Sequence, residues 1–133
     1  MKVTVLDDYQ RAFELTDPIQ RLRSKAEVQI LTDKLPSEAA LAEALRGSQA
    51  IIPVRERTKF TASLFEQLPD LEYISQTGNH AYHVDMEAAT RRGVVVSLAP
   101  GGNSTTQLTF RLMLAVVRGL PQSGAPMWRG EWA

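Results

Sequence analysis

Four polar segments hold the residues of this chain whose types could do chemistry, and each follows a short apolar run. Asp7-Asp8-Tyr9 follows residues 3–6, and Arg55-Glu56-Arg57-Thr58-Lys59 follows residues 50–54. Ser75-Gln76-Thr77-Gly78-Asn79-His80-Ala81-Tyr82-His83 follows residues 71–74, and Ala99-Pro100-Gly101-Gly102-Asn103-Ser104 follows residues 94–96. Most of these segments are rich in hydrogen-bond donors, and none presents an obvious nucleophile. Backbone N–H groups beside glycine, together with cationic Arg, suit a small anion such as a carboxylate. Ordinary turns with solvated charges would contain the same residues, so spacing alone leaves both readings open.

Other chemistries fit less well. Asp7-Asp8 and Thr77 sit where a phospho-receiver domain keeps its acidic pair and its hydroxyl. The segment after residues 50–54 lacks the phosphate-accepting Asp, however, and no Lys follows residues 94–96. A magnesium site would lack its third carboxylate. His80 and His83 with Asp85 have a spacing that a transition metal could use, but Asp85 is better placed as a helix cap, and no metal is expected. A general-base histidine has no partner carboxylate fixed by the sequence. Gly101-Gly102 before a helix hints at a phosphate cradle, yet neither G-x-G-x-x-G nor G-x-x-x-x-G-K-[ST] occurs. The absence of Cys excludes disulfides, zinc-thiolate sites and thiol catalysis.

The elements that must position these segments form an alternating pattern. Short strands are predicted at residues 3–6, 28–31, 50–54, 71–74 and 94–96. Helical segments are predicted between them: 9–23, kinked at Asp17-Pro18; 38–46, behind the cap Ser37; 61–68, capped by Thr61; and 86–92, capped by Asp85. Glycines 47 and 93 stand where left-handed residues end helices. Five strands joined by helical crossovers imply an α/β fold, a doubly wound five-stranded parallel sheet of flavodoxin-like order. In such a sheet ligands bind outside the carboxyl ends of the strands, where the four polar segments lie.

The chain has 133 residues, 44% hydrophobic, with 15 Lys+Arg against 15 Asp+Glu. This length suits one domain with its own core. The balanced charge argues against a nucleic-acid partner. Neither a signal peptide nor a membrane span is expected, which points to a soluble, cytoplasmic protein. Residues 105–118 form the last predicted element, a long helix opened by a capping box of Ser104 and Gln107. It is apolar nearly all round, through Leu108, Phe110, Leu112, Met113, Leu114, Val116 and Val117, with Arg111 and Arg118 its only charges. Such a helix should be buried against another domain or subunit, and a homodimer through residues 105–118 is expected. Gly119 and Pro121 should stop it, leaving a tail with Trp128 and Trp132.

Several runs together resemble the D-isomer-specific 2-hydroxyacid dehydrogenases, along nearly the whole chain and in order. They are Val3-Thr4-Val5-Leu6-Asp7-Asp8-Tyr9-Gln10, Val54-Arg55-Glu56-Arg57-Thr58 and Leu68-Pro69-Asp70-Leu71-Glu72-Tyr73-Ile74, followed by Thr77-Gly78 and Val84-Asp85. Arg92-Gly93-Val94-Val95-Val96, Ser104-Thr105-Thr106-Gln107-Leu108-Thr109 and Gly130-Glu131-Trp132 complete the series. The resemblance implies a flavodoxin-like substrate domain at residues 1–103, then an interdomain or dimerisation helix and tail at 104–133. It implies that backbone groups at Thr77, Gly78, Asn79 and His80 help hold a substrate carboxylate, that Arg55 lies near the cleft, and that Ser104 and Thr105 lie near the nicotinamide. The family's catalytic Arg, Glu and His belong to an NAD-binding domain that has no counterpart in these residues. No catalytic residue is therefore assigned, no NAD is expected to bind this chain alone, and the chain alone is expected to be inactive. Gln107 stands where many relatives have Glu, and the His80/His83 loop departs from the commoner acidic version. A stand-alone small-anion-binding or dimerisation module without catalysis is the alternative.

Overall fold

The computed structural model describes residues 1–99 and 104–131. They fall into two compact units, one ending at Pro100 and one beginning at Gly101. In the first unit, β1 (Lys2–Leu6), β2 (Glu27–Ile30), β3 (Ala50–Pro53), β4 (Tyr73–Gln76) and β5 (Val95–Leu98) alternate with α1 (Asp17–Arg23), α2 (Glu38–Leu45), α3 (Ala62–Gln67) and α4 (Met86–Arg91). The strands form one sheet in the order β2-β1-β3-β4-β5, and every pairing is parallel. This is the flavodoxin-like order, and the reversal of strand order falls between β1 and β3.

Local chemistry explains most of the helix starts. The side chains of Ser37, Thr61 and Asp85 accept the N–H of Ala40, Leu64 and Ala88, so each cap satisfies a donor that the helix leaves free. On one face of the sheet Leu6, Ile51 and Ile74 join Leu45, Leu64, Phe65 and Ala89 in the main core. Val3 and Val5, of opposite parity on β1, are buried on the other face.

Three expectations need correction. Residues 9–16 are not helical. The Asp8 carboxylate accepts the N–H groups of Ala12 (2.9 Å) and Phe13 (3.0 Å), so a side chain competes for the donors that a helix would use. Helix α1 begins only at Asp17, with Pro18 in its first turn, where no N–H is needed. Strand β4 lies two residues later than its apolar run suggests, because pairing with β5 (Tyr73↔Val95 to Gln76↔Leu98) draws in Ser75 and Gln76.

The third correction concerns the second unit, where α5 (Ser104–Val117) is followed by α6 (Leu120–Trp128) and the two pack together. Gly119, at φ +64, ends α5 as expected. The proline that follows starts α6 instead of stopping the chain's helical course, since the first turn tolerates it. Phe110, Leu114, Val117 and Trp128 are all exposed. The expected capping box lies outside the described residues at the Ser104 side chain, as do Gly101-Gly102 and Trp132. No helix among the described residues is long and apolar enough to cross a membrane.

Candidate functional site

At the end of β1, Asp7 takes a left-handed backbone conformation (φ +67) and is 2% exposed. Its carboxylate accepts the Tyr9 hydroxyl (3.0 Å) and the Thr58 hydroxyl (2.7 Å), while its carbonyl accepts Arg57 Nη1 (2.6 Å). The Arg57 guanidinium lies over the Tyr9 ring, 4.6 Å from the centroid. Burial, with the bond to Asp7, pushes the Tyr9 phenol above its ordinary pKa and keeps it a donor. Arg55, two residues past β3, is also left-handed (φ +68). Its N–H donates to the Thr77 hydroxyl (3.0 Å), which itself donates to the Pro53 carbonyl (2.9 Å). Thr77 thus ties the loop after β3 to the loop after β4.

The residues expected to hold a carboxylate divide into two groups. The N–H of Thr77 donates to Pro53 O (3.3 Å) and that of Gly78 to Gln76 O (3.1 Å), so both are committed within the loop. A side chain at residue 78 would come within 3.0 Å of Glu56 Oε1, so glycine permits this close approach. Asn79 and His80 are exposed, and no partner for their backbone N–H groups occurs among the described residues. The Arg55 side chain is also exposed, with no ion pair among the described residues. The side chains of Ser104 and Thr105 lie outside the described residues.

A pocket of about 350 Å³ opens between the end of β1, the loop after β3 and the start of α2. Lys34, Arg57 and Lys59 line it, against Asp7 and Glu38. Both carboxylates are engaged by neutral donors, Glu38 by the Thr61 hydroxyl (2.7 Å) and the Gln67 amide (3.3 Å). The Thr61 hydroxyl, first among these contacts, holds the Glu38 carboxyl below its ordinary pKa. Lys34 and Lys59 form no ion pair among the described residues. The pocket thus sets three cations against two carboxylates and carries a net positive charge at the crevice where this sheet topology places ligands. Sequence reasoning passed over Lys34 because it follows β2. The order β2-β1-β3, which brings that loop beside the crevice, was the available signal.

His83 and Gln76 are buried, and neither the imidazole nitrogens nor the Gln76 amide atoms have a hydrogen-bond partner among the described residues. The His83 ring meets the edges of Phe60 and Tyr82, each at 6.2 Å. Asp85 caps α4, and no group of three His, Asp or Glu able to hold a metal occurs among the described residues. Burial pushes the His83 imidazole below its ordinary value, with the Glu56 and Asp7 carboxylates pulling the other way. A histidine depressed in the fold stabilises it above the unfolded value, about 6.5, and that contribution is lost as the pH falls through the lower folded value. Urea midpoints should therefore decline between pH 7.5 and 5, and His83→Gln should flatten that decline. An equal slope in both proteins would contradict the assignment.

The family model for the D-isomer specific 2-hydroxyacid dehydrogenase catalytic domain matches residues 5–109. The chain belongs to this family. The match begins near the end of β1, runs through the other four strands with the loops after β1, β3 and β4 included, and ends within α5. The D-3-phosphoglycerate dehydrogenase of Methanocaldococcus jannaschii is 36% identical over 118 residues, covering 87% of this chain and 22% of that protein. The D-3-phosphoglycerate dehydrogenase of Rattus norvegicus is 37% identical over 100 residues, covering 74% of this chain and 18% of that protein. A crystal structure of phosphoglycerate oxidoreductase from Vibrio cholerae o395 superposes with TM-score 0.78 at 34% identity, over 99% of this chain and 42% of that one. The apo-structure of D-lactate dehydrogenase from Escherichia coli shares the fold, with TM-score 0.73 at 17% identity over 100% of this chain and 42% of that one. The chain thus spans about a fifth of these curated relatives and about two fifths of these solved ones.

Proposed function

We propose that this chain is the substrate-binding part of a dehydrogenase that interconverts a phosphorylated D-2-hydroxy acid and its 2-oxo acid, with D-3-phosphoglycerate as the first candidate. The observation that carries this reading is the pocket that gathers Lys34, Arg57 and Lys59 against two carboxylates, Asp7 and Glu38, for a net positive charge. A phosphate ester suits such a pocket, because its charge and its several acceptor oxygens can engage more than one of these cations at once. The carboxylate end is assigned to the Arg55 guanidinium and the N–H groups of Asn79 and His80. Thr77 and Gly78 set the shape of that loop and do not contact the ligand. Arg55 and Arg57 stand two positions apart on one loop, and the reading requires one small molecule with an anion at each end to engage both.

The family's redox cofactor is NAD, and the residues present do not fit it. A dinucleotide needs a glycine-rich turn leading from the first strand directly into a helix. Here the first strand ends in two buried carboxylates, Asp7 and Asp8, and α1 begins only at Asp17. Pyrophosphate at that turn would meet like charge. Hydride transfer is therefore assigned to a part of the enzyme other than these residues, and no catalytic role is given to any of them. A homodimer through α5 belongs to the same reading, supported by the exposed Leu108, Phe110, Leu114 and Val117.

The test is titration of the chain with 3-phosphoglycerate, D-glycerate and D-lactate, followed residue by residue by NMR, with NAD(H) turnover measured on the same sample. 3-Phosphoglycerate should bind tightest, shifting Lys34, Arg57, Lys59, Asn79 and His80, and no turnover should be seen. Equal affinity for D-lactate, or shifts confined to other residues, would sink the reading. Turnover by the chain alone would overturn the division of labour.

A further inference from the structure

Asp7 places a carboxylate in the wall of a pocket whose other charges are mostly positive. For an anion this is a repulsive neighbour, and its backbone is left-handed as well (φ +67), a conformation uncommon outside glycine. Both features need a reason, and the contacts of Asp7 supply one. Its carbonyl accepts Arg57 Nη1 at 2.6 Å. Its carboxylate accepts the Tyr9 hydroxyl at 3.0 Å, which fixes the ring over which the Arg57 guanidinium lies. The same carboxylate accepts the Thr58 hydroxyl at 2.7 Å, pinning the residue next to Arg57. With Asp7 2% exposed, water competes little for these bonds.

Resting on the phosphate-pocket reading above, we infer that Asp7 is a positioning residue that sets the enzyme's preference for phosphorylated over unphosphorylated acids. It does so through its carboxylate, which anchors both the Tyr9 ring that lies against the Arg57 guanidinium and the adjoining Thr58. The carbonyl that also accepts Arg57 is backbone and is common to any residue at position 7. Long, flexible Arg side chains lose considerable rotamer freedom on engaging a ligand. A guanidinium already held on an aromatic face and by a carbonyl has lost part of that freedom before the ligand arrives.

Simple electrostatics and positioning predict opposite signs for Asp7→Asn. Asn tolerates the left-handed conformation, so the backbone is kept while the charge and one acceptor are removed. Removal of a negative charge from an anion pocket would tighten binding, whereas loss of positioning weakens it. By calorimetric titration with 3-phosphoglycerate and D-glycerate, Asp7→Asn should lower the preference for the phosphorylated acid at least tenfold. In an Arg57→Gln background the same change should have no further effect, because the two residues act as one unit. An unchanged or greater preference, or additive effects in the double variant, would overturn the inference.

Tyr9→Phe removes only the hydroxyl bond to Asp7 and should give a smaller loss in the same direction, so the idea remains testable if Asp7→Asn folds poorly. A readout without ligand separates this inference from the reading beneath it. The 15N{1H} NOE at Arg57 Nε should be high in the free chain and fall in whichever of these two variants is folded. If the unaltered chain binds no 3-phosphoglycerate, the substrate assignment fails. If Arg57 stays ordered in the variant, the positioning role fails, whatever binds.

Discussion

Phe60→Ala is expected to destabilise the first unit by about 3–5 kcal/mol, the loss usual for a buried aromatic truncated to a methyl group. Phe60 is 1% exposed and meets the rings of Phe65 and His83 at 6.3 and 6.2 Å. Its backbone also forms an isolated parallel bridge with Val84, donating to His83 O and accepting from Asp85 N, each at 2.9 Å. The side chain thus joins the main core to the loop after β4 and to the start of α4. Total stabilities of domains this size are about 5–15 kcal/mol, so such a loss is a large share of the whole. Urea unfolding of Phe60→Ala beside Val95→Ala, whose side chain is exposed on an edge strand, measures it. The Val95 change should shift stability by less than about 1 kcal/mol. A Phe60 loss no larger than that of the Val95 control would show that the core does not depend on this ring.

Arg57→Gln is expected to weaken binding of 3-phosphoglycerate about 10- to 100-fold. A hydrogen bond to a charged group is worth about 1.5–3 kcal/mol, and each 1.4 kcal/mol is a factor of ten. Arg57 is held by Asp7 and Tyr9, so its contribution carries less ordering entropy than those of Lys34 and Lys59, which form no ion pair among the described residues. Lys34→Gln and Lys59→Gln should each cause smaller losses, and those losses should shrink as salt is raised, because exposed charges are screened. Arg46→Gln is the control, since Arg46 pairs with Glu43 at the far end of α2. Isothermal titration at low and high salt reads all of these. An Arg57→Gln affinity equal to that of the Arg46 control would remove the phosphate from this pocket.

Much of the fold was legible from local signals. Ser37, Thr61 and Asp85 each accept the N–H three residues on, an interaction confined to one turn. The same logic failed for residues 9–16, where Asp8 takes backbone donors into a side-chain network and no helix forms. It also misplaced β4, since Ser75 and Gln76 become strand only through their partners Ser97 and Leu98. Within the candidate site, Arg55 and the Thr77–His80 loop could be picked out by residue type. Which of their N–H groups are free could not, because that depends on carbonyls of Pro53 and Gln76 folded against them.

The order of apolar runs, the caps and the motif succession determined by themselves that this chain is a parallel α/β domain of the 2-hydroxyacid dehydrogenase family. Those signals act between neighbours a few residues apart, so a linear reading captures them. Only the tertiary structure decided that Lys34, Arg57 and Lys59 share one pocket, and that Asp7 bonds to Arg57 and Thr58, 50 and 51 positions away. Those meetings follow from strand order, which sets β1 beside β3 and brings the loop after β2 to the same crevice, and they involve no local preference that a sequence pattern could display.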